Sequence, residues 1–447
     1  MPRSALRLVP VIAIWAGAAV ALAIPARRVV DWFWMTDELL YERLAFSVAR
    51  TGSPLPVLHG QRVPVTNFLY PVLLAPLVDG HLVPSFLTRA HTLNAVLMTS
   101  ACVPAYLIAR NILRSTVGAH AAALLTVVVP WVVLASFLLT ESAAYPAFLW
   151  AVYLAQRAVA RPSPVADVLA LAGLVLALLA RTQLLVLFAV VPIAILLRER
   201  SLRASATRHR VLAAITVLGI VAVIVLVAAG HGAGLLGSYA GTTSGSWISF
   251  DMLRAFTQHA ATLAKALGIL PAVLGAAWLS ARAVHRDATA LVASLAILFV
   301  LAEVTSFDVR FGGDLPHDRY LFYAAPLLLI GFIGALEDVR VPRWSLAAPF
   351  AVVVVGMATA ILPLYDKFNV ETPASTVDNY LVSSGGGITG ARVTLVVCAV
   401  LIVVIFLLAR AFLPLRLVAV VFVAATVAFL TAETAYGFKR LFTVYGT

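Results

Sequence analysis

Long apolar segments follow one another along the whole chain, and they restrict its fold more than any other feature. A helix needs about 20 residues to cross the roughly 30 Å hydrocarbon core of a bilayer, and about thirteen segments approach that length. Only 12% of the 447 residues are charged, whereas a soluble domain is charged at about 25%. Since only helices and closed barrels satisfy the backbone in lipid, the sequence predicts an all-α polytopic membrane protein and excludes a soluble enzyme.

The predicted spans also indicate an orientation, because the cytoplasmic loops of membrane proteins are enriched in Lys and Arg. With the N-terminus inside, the inner loops carry a net charge equal to the +12 of the whole chain. The outer loops are then neutral overall, and an odd number of spans places Thr447 outside. The basic character therefore reflects topology, and nucleic acid is not an expected partner. The predicted spans lie near residues 8–24, 84–108, 118–139, 143–159, 165–180, 184–197, 211–229, 256–279, 288–304, 320–336, 346–364, 393–408 and 417–434.

The first span has a second interpretation. Arg3 and Arg7 precede an apolar core that ends in an A-x-A pattern at 21–23, as in cleaved signal peptides. In both interpretations the segment after Arg28 emerges on the outer face of the membrane. The excess of arginine over lysine, with abundant alanine and valine, indicates a high-GC bacterium, so we expect a multi-pass protein of the cytoplasmic (inner) membrane.

The longest predicted outer loop, residues 25–67, combines carboxylates with aromatic residues. Thr36 is placed to cap a helix that starts at Asp37 and stops before Gly52. We expect this helix to lie in the membrane interface on the outer face. Apolar residues suited to that position are Leu40, Leu44 and Val48 on the helix and Trp32 and Trp34 before it.

Polar residues also gather at the outer ends of later spans, where ionisable groups are costly and indicate a site. Structural interpretations stay open for several of them. Asp37 and Glu38 can complement a helix dipole, Glu141 can be a solvated loop carboxylate, and Arg181 can snorkel to the interface. The later members of this set are Glu141, Arg181, Gln183, His317, Asp318, Arg319 and Tyr320.

Other kinds of site lack support in the sequence. Cys102 and Cys398 lie far apart in apolar runs, so neither a zinc cluster nor a redox pair can form. No His and carboxylate pair has metal-ligand spacing on one helix, and neither a Walker loop nor a G-x-S-x-G elbow occurs. The glycine-rich stretch 230–246 fits either a covering lid or a plain flexible connection.

The order of these features resembles the GT-C superfamily of membrane glycosyltransferases, in the bacterial branch of protein mannosyltransferases and lipid A aminoarabinose transferases. The resemblance covers roughly residues 8–336, and its strength lies in the order and outer-face placement of short motifs. The matching elements are Asp37, Glu38 and Tyr41 as a D-E-x-x-Y motif followed by residues 49–52, the Leu- and Pro-rich stretch 67–79, the helix 88–110 with its Arg and Tyr motifs, Glu141, and Arg319, Tyr320 and Pro326.

The resemblance implies a catalytic transmembrane module at residues 1–336, with additional helices at 337–447. It also implies an inverting transfer of a hexose or pentose from a polyprenyl-phosphate donor to a hydroxyl of a glycan, lipid or protein acceptor. Asp37 is then the expected catalytic base, and Glu38 or Glu141 orients the acceptor. The expected donor-phosphate ligands are Arg181, Arg319 and His317, and the expected substrate-positioning residues are Tyr41, Gln183 and Tyr320. A sugar monophosphate leaving group does not require a divalent metal, so the implied mechanism needs no metal, and metal dependence is left open.

Two features depart from the family pattern. Ala90 and His91 follow Arg89 where the family more commonly has Leu or Ile, and the region beyond Asp338 matches no family motif. The acceptor is therefore left open, and two other functions are alternatives. One is a polymerase or ligase of polyprenyl-linked glycans, which typically centres on a large late outer loop. The other is a lipid or solute transporter, for which midplane charges and inverted repeats are expected.

Overall fold

The computed structural model is helical almost throughout. It describes residues 8–29, 35–58, 60–63, 66–78, 83–230, 249–313, 315–338, 342–362 and 368–445. Within these ranges, strands are confined to one antiparallel hairpin, Val57–Leu58 with Gln61–Arg62. The predicted all-α class is confirmed. Trp32, Trp34 and residues 231–246 of the glycine-rich stretch lie outside the described residues.

The described residues form twenty α-helices, numbered α1 to α20 along the chain. The first ten are α1 Val9–Ala26, α2 Thr36–Thr51, α3 Leu69–Leu74, α4 Val83–Ser100, α5 Cys102–Ile112, α6 Thr116–Val127, α7 Glu141–Ala160, α8 Pro164–Ala180, α9 Leu187–Glu199 and α10 Leu202–Arg208. The last ten are α11 Arg210–Ala228, α12 Phe250–Ala266, α13 Leu270–Val284, α14 Ala288–Phe311, α15 Asp318–Leu321, α16 Ala325–Glu337, α17 Arg343–Ala358, α18 Thr376–Leu381, α19 Gly387–Phe412 and α20 Leu415–Tyr445. Short 3-10 turns lie at Ala75–Leu77, Pro130–Ser136, Thr182–Val186 and Phe322–Ala324.

Eight helical segments are long and apolar enough to cross a membrane, and the number rises to ten if two bent helix pairs each count as one span. The chain is therefore an integral membrane protein, but thirteen spans are not confirmed within the described ranges. Helices α8 and α17 are apolar but shorter than a full span. The predicted span 256–279 is divided between α12 and α13, which are bent by 117° around Gly268 and Ile269, both with positive φ.

Helix α2 ends where the sequence predicts, but it begins one residue earlier, at Thr36, and its cap differs. The helix ends at Gly52, which has a left-handed backbone with a φ of 66°. Thr36 lies within the first turn, so the prediction that it caps the helix is wrong. The N-cap is Met35, whose backbone N–H donates to Glu38 Oε2 at 3.3 Å. The Glu38 side chain therefore accepts the backbone N–H of the N-cap residue, as the N3 glutamate of a capping box does.

The apolar stripe of α2 is buried in protein. Leu44 and Val48 are 0% and 8% exposed, and Leu44 belongs to a hydrophobic cluster that contains Tyr70, Phe86 and Leu138. The stripe thus packs against α3, α4 and the segment before α7, in place of lipid headgroups. The outer-face position of the helix stays a prediction.

By its contacts the chain divides into two compact units. Unit 1 comprises Met1–Trp15, Cys102–Val133 and Ser246–Thr447, and unit 2 comprises Ala16–Ala101 and Leu134–Gly245. In unit 2, α7 packs on α4, α8 and α9, and α2 packs on α3. In unit 1, α13 packs on α16 and α12 packs on α17. The predicted functional division into residues 1–336 and 337–447 stays a prediction.

Helices α13 and α16 of unit 1 approach each other at glycines. A Cβ atom built at Gly275 would overlap the backbone oxygen of Leu328, and one built at Gly331 would lie 2.6 Å from the carbonyl oxygen of Gly275. Close backbone approach through small residues is typical of helix pairs in membranes. The close contact between α13 and α16 therefore depends on the absence of a Cβ atom at Gly275 and Gly331.

We predict that Gly275→Ala destabilises the protein by about 1–3 kcal/mol, because the added methyl group forces the two backbones apart. Thermal unfolding of the purified protein in detergent measures the effect. Gly17→Ala is the matched control, since a Cβ there meets nothing within 4 Å. Equal unfolding temperatures for wild type and Gly275→Ala would contradict the close contact.

Candidate active site

Helix α2 presents two neighbouring carboxylates in its first turn. Asp37 is half-buried, whereas Glu38 is only 4% exposed. Consecutive helix residues point about 100° apart, so the two side chains lie on different faces. Glu38 Oε2 accepts the Met35 N–H, and Oε1 accepts the Leu138 N–H at 3.0 Å. Glu38 thereby ties α2 to the segment that leads into α7.

A polar chain inside unit 2 extends from Tyr41. Asn67 Nδ2 donates to Tyr41 Oη at 3.0 Å, and the Tyr41 and Tyr70 rings meet edge to face with centroids 5.8 Å apart. Tyr70 Oη donates to Asn94 Oδ1 at 2.9 Å, and Asn94 Nδ2 donates to the Phe137 carbonyl at 2.8 Å. Burial raises the pKa of Tyr70 well above its usual 10.0, so this hydroxyl stays a neutral donor. The hydrogen bond from Asn67 and the ring contact with Tyr70 fix the orientation of the Tyr41 side chain.

Glu141 and Arg181 form a buried ion pair. Glu141 Oε2 lies 2.8 Å from Arg181 Nη1, and the two side chains are 1% and 10% exposed. The same Nη1 donates to Thr140 Oγ1 at 3.0 Å, and Arg181 Nε donates to Gln183 Oε1 at 3.1 Å. Removing one partner of a buried pair costs about 3–5 kcal/mol. Loss of either partner alone would therefore destabilise the turn between α8 and α9.

In unit 1, Asp308 lies between two histidines. His259 Nε2 is 2.7 Å from Asp308 Oδ2, and His317 Nδ1 is 2.7 Å from Asp308 Oδ1. The backbone N–H of His317 donates to the same carboxylate at 2.9 Å. The other nitrogen of His259, Nδ1, is 2.7 Å from the Ala255 carbonyl. Each oxygen of the Asp308 carboxylate is therefore in contact with one imidazole ring.

His317 is the member of this group that lies outside the apolar spans. Burial alone would lower its pKa, but its hydrogen bond to Asp308 and the charge of that carboxylate outweigh burial. The pKa of His317 is therefore raised above its usual 6.5. The ring retains its positive charge at a higher pH than an isolated histidine would.

Arg319 lies two residues after His317 and is 3% exposed. Its Nε lies 2.8 Å from Glu371 Oε2, and its Nη2 donates to Tyr320 Oη at 2.6 Å. The Tyr320 ring stacks on His317 with centroids 5.6 Å apart. Two cations and an aromatic ring are thus held together, with Asp308 and Glu371 as their anionic partners.

Glu42 is a buried carboxylate that the sequence interpretation did not select. It lies one turn after Glu38 and is 4% exposed. Burial raises its pKa, although Arg43 at 3.6 Å acts in the opposite direction. Its spacing of four residues from Glu38 was an available signal, because such residues share a helix face.

The structure brings the predicted residues together in two groups, one in each unit. Unit 2 holds Asp37, Glu38 and Tyr41 on α2 and the contacting set Glu141, Arg181 and Gln183; unit 1 holds His317, Arg319 and Tyr320. Sequence reasoning missed Asp308 and His259, although ionisable residues in apolar segments are a signal. It also missed Glu371, which lies in the region without family motifs. Among the described residues, no group of three or more His, Cys, Asp and Glu is arranged to hold a metal ion.

We predict that Glu38→Ala destabilises the protein by about 1–3 kcal/mol, because the buried N–H of Leu138 loses its acceptor. Glu38→Gln retains one oxygen and should lose less. Thermal unfolding in detergent compares the two with Arg50→Ala, an exposed change in the last turn of the same helix. If Glu38→Ala unfolds at the wild-type temperature, Glu38 does not stabilise the α2 contact.

No protein-family model matches the chain, and no curated protein matches it significantly. Solved structures do match it. The crystal structure of ArnT from Cupriavidus metallidurans bound to undecaprenyl phosphate aligns with 95% of this chain and 78% of that chain, with a TM-score of 0.54 and 15% identity. The apo structure of the same ArnT aligns with 95% and 77%, with a TM-score of 0.50 and 15% identity. Likeness at this identity establishes the fold alone: the chain has an ArnT-like fold.

Proposed function

We propose that the protein is an inverting glycosyltransferase that moves a sugar from a polyprenyl-phosphate donor to an acceptor hydroxyl. The observation that carries the proposal is the ArnT-like fold over 95% of the chain. ArnT is an aminoarabinose transferase, and one of its structures holds undecaprenyl phosphate. The proposed reaction takes place at the outer face of a bacterial cytoplasmic membrane. The sugar is a hexose or pentose, and the acceptor is a glycan, lipid or protein.

Asp37 is the proposed catalytic base. The acceptor oxygen bonds to the anomeric carbon while the bond from that carbon to the phosphate oxygen breaks, so the configuration inverts. Polyprenyl phosphate leaves with the bonding electrons, and the hydroxyl proton passes to Asp37. Glu38 is a poorer candidate, because both of its oxygens accept backbone N–H groups. Two adjacent carboxylates therefore take different roles, one in proton transfer and one in positioning.

Glu141 is proposed to orient the acceptor. Its carboxylate lies in the ion pair with Arg181, which fixes its position. A buried and paired carboxylate suits a positioning role, since its geometry is held by both the ion pair and Thr140. Tyr41, Gln183 and Tyr320 are the proposed substrate-positioning side chains.

Arg181, Arg319 and His317 are the proposed ligands of the donor phosphate. Guanidinium groups bind phosphate oxygens in a bidentate fork, and fixed cations stabilise the charge that grows on the leaving group. Each of these cations already has a carboxylate partner, which holds it in place before the donor binds. The proposed step does not require a divalent metal.

We predict that the purified protein in liposomes transfers radiolabelled sugar from a polyprenyl-phosphate donor to an acceptor. Asp37→Asn should lower the rate by about 10² to 10⁴, the usual contribution of a positioned base, with unchanged thermal stability. Arg50→Gln on the same helix is the matched control and should retain full activity. If Asp37→Asn keeps more than about a tenth of the rate, the base is another residue.

The same assay separates the alternative functions. Movement of the intact donor lipid across the bilayer without sugar transfer would favour a transporter. Activity confined to diphosphate-linked oligosaccharides would favour a polymerase or ligase. Either result would overturn the proposed function, whatever the effect of Asp37→Asn.

We predict that donor binding weakens as the pH rises through the raised pKa of His317. A histidine whose pKa is raised in the folded protein is fully protonated below its ordinary pKa of 6.5, and there it contributes its positive charge to phosphate binding. It loses this charge as the pH rises through the raised pKa. The KM for the donor, measured across neutral and mildly alkaline pH, should therefore increase with pH. His317→Gln should abolish this inflection, and Asp308→Asn should move it to lower pH. An unchanged inflection in His317→Gln would exclude His317 as its source.

A further inference from the structure

An apolar trough lies along α8, α9 and α11 of unit 2, and none of its lining residues is assigned to sugar transfer. It consists of a cavity of about 420 Å³ and a second one of about 450 Å³. Both cavities are lined mainly by aliphatic side chains. They share Val191, Pro192, Leu212, Thr216 and Ile220. Because these walls are common to both, the cavities form one groove.

Helix α11 forms the outer wall of the trough and is long enough to span a membrane, although only 6% of its span is buried within the protein. Val217, Ile220 and Ile224 line the groove and are also 56–61% exposed. A helix this exposed and apolar faces lipid. A hydrocarbon chain from the bilayer can therefore enter the trough from the side.

A buried histidine occupies one end of the trough. His209 lines the cavity, is 1% exposed, and its Nδ1 lies 3.1 Å from Asp167 Oδ1. Because an ionised carboxylate only accepts, Nδ1 carries the proton and donates to Asp167. The second ring nitrogen, Nε2, is buried and has no hydrogen-bond partner among the described residues. A ligand that places a hydrogen-bond donor at that depth would satisfy this nitrogen.

Arginines surround the same end of the trough. Helix α10 contributes Leu202, Ser205 and Ala206 to the cavity wall, and Arg203 and Arg210 are exposed residues beside these lining positions. Arg208 is paired with Glu199 at 2.9 Å. Because this glutamate offsets only one of the arginines, the local net charge is positive. This segment is the most basic of the loops predicted to be cytoplasmic. Basic pockets between helices on that side favour anionic lipid headgroups.

We propose that the trough binds an anionic phospholipid of the cytoplasmic leaflet. One acyl chain lies in the groove between α9 and α11, a headgroup hydroxyl donates a hydrogen bond to His209 Nε2, and the phosphate lies beside Arg203 and Arg210. A zwitterionic lipid supplies the same chain without net charge, so the arginines select for the anionic headgroup. The site is independent of the proposed glycosyl transfer.

The test uses the delipidated full-length protein in detergent, with phosphatidylglycerol and phosphatidylcholine of identical acyl chains as probes. Native mass spectrometry measures the apparent Kd of each lipid. We expect phosphatidylglycerol to bind more tightly. Each neutralised arginine should weaken it by about fivefold, so Arg203→Gln with Arg210→Gln should lose about 25-fold, while phosphatidylcholine binding is unchanged. The double variant Arg157→Gln with Arg161→Gln is the control, because these arginines are exposed but do not line the trough.

Two further variants test the groove itself. Ala213→Leu narrows the trough without altering charge and should weaken both lipids, and His209→Leu should reduce the preference for phosphatidylglycerol more than His209→Gln does. Far-UV circular dichroism confirms that each variant is folded. Equal affinity for the two lipids would reduce the trough to an ordinary lipid contact and overturn the proposal. Equally tight binding of glycerol phosphate, which has no acyl chain, would overturn it as well.

Discussion

The burial of ionised groups in a protein surrounded by lipid is the constraint on which the rest of the structure depends. A charge without water or a partner is too costly to keep, so each must be balanced where it lies. Glu141 is balanced by Arg181 at 2.8 Å, and Lys265 Nζ donates to both oxygens of Asp378 at 2.7 and 2.6 Å. Asp308 is contacted by two histidines, one at each carboxylate oxygen. The positions of Glu141, Arg181 and His317 in the candidate site follow from these pairings.

The same constraint orders a segment that has no sequence motif, residues 368–381. Its acidic and backbone groups are bound by buried partners within unit 1. The contacts are Glu371 with Arg319, the Ala374 N–H with Asp318, and Asp378 with Lys265. Because apolar packing alone does not specify which polar groups meet, these three contacts determine where the segment lies. The region that resembles no family pattern is therefore part of the group around Arg319.

The sequence predicts those features that depend on local chemistry. Helix α2 and its end at Gly52 follow from spacing and from the left-handed conformation that glycine tolerates. Hydropathy does not record a change of direction, so the 117° bend within 256–279 could not be predicted. The pairing of Glu141 with Arg181 joins residues far apart in the chain, which only tertiary structure reveals. Glu371 had no motif to mark it, so the partner of Arg319 was missed.

The Arg319–Glu371 pair bears on how a cation can act selectively during the proposed reaction. The donor is a phosphodiester with one negative charge, the same charge as the carboxylate of Glu371. Arg319 therefore does not strongly prefer the phosphate of the bound donor to Glu371. As the sugar departs, the phosphate becomes a monoester with about −1.5 to −2 charge at neutral pH. The attraction between this phosphate and Arg319 then exceeds the attraction between Glu371 and Arg319. An arginine shared with a carboxylate thus stabilises the transition state more than the bound donor, which is the condition for raising the rate.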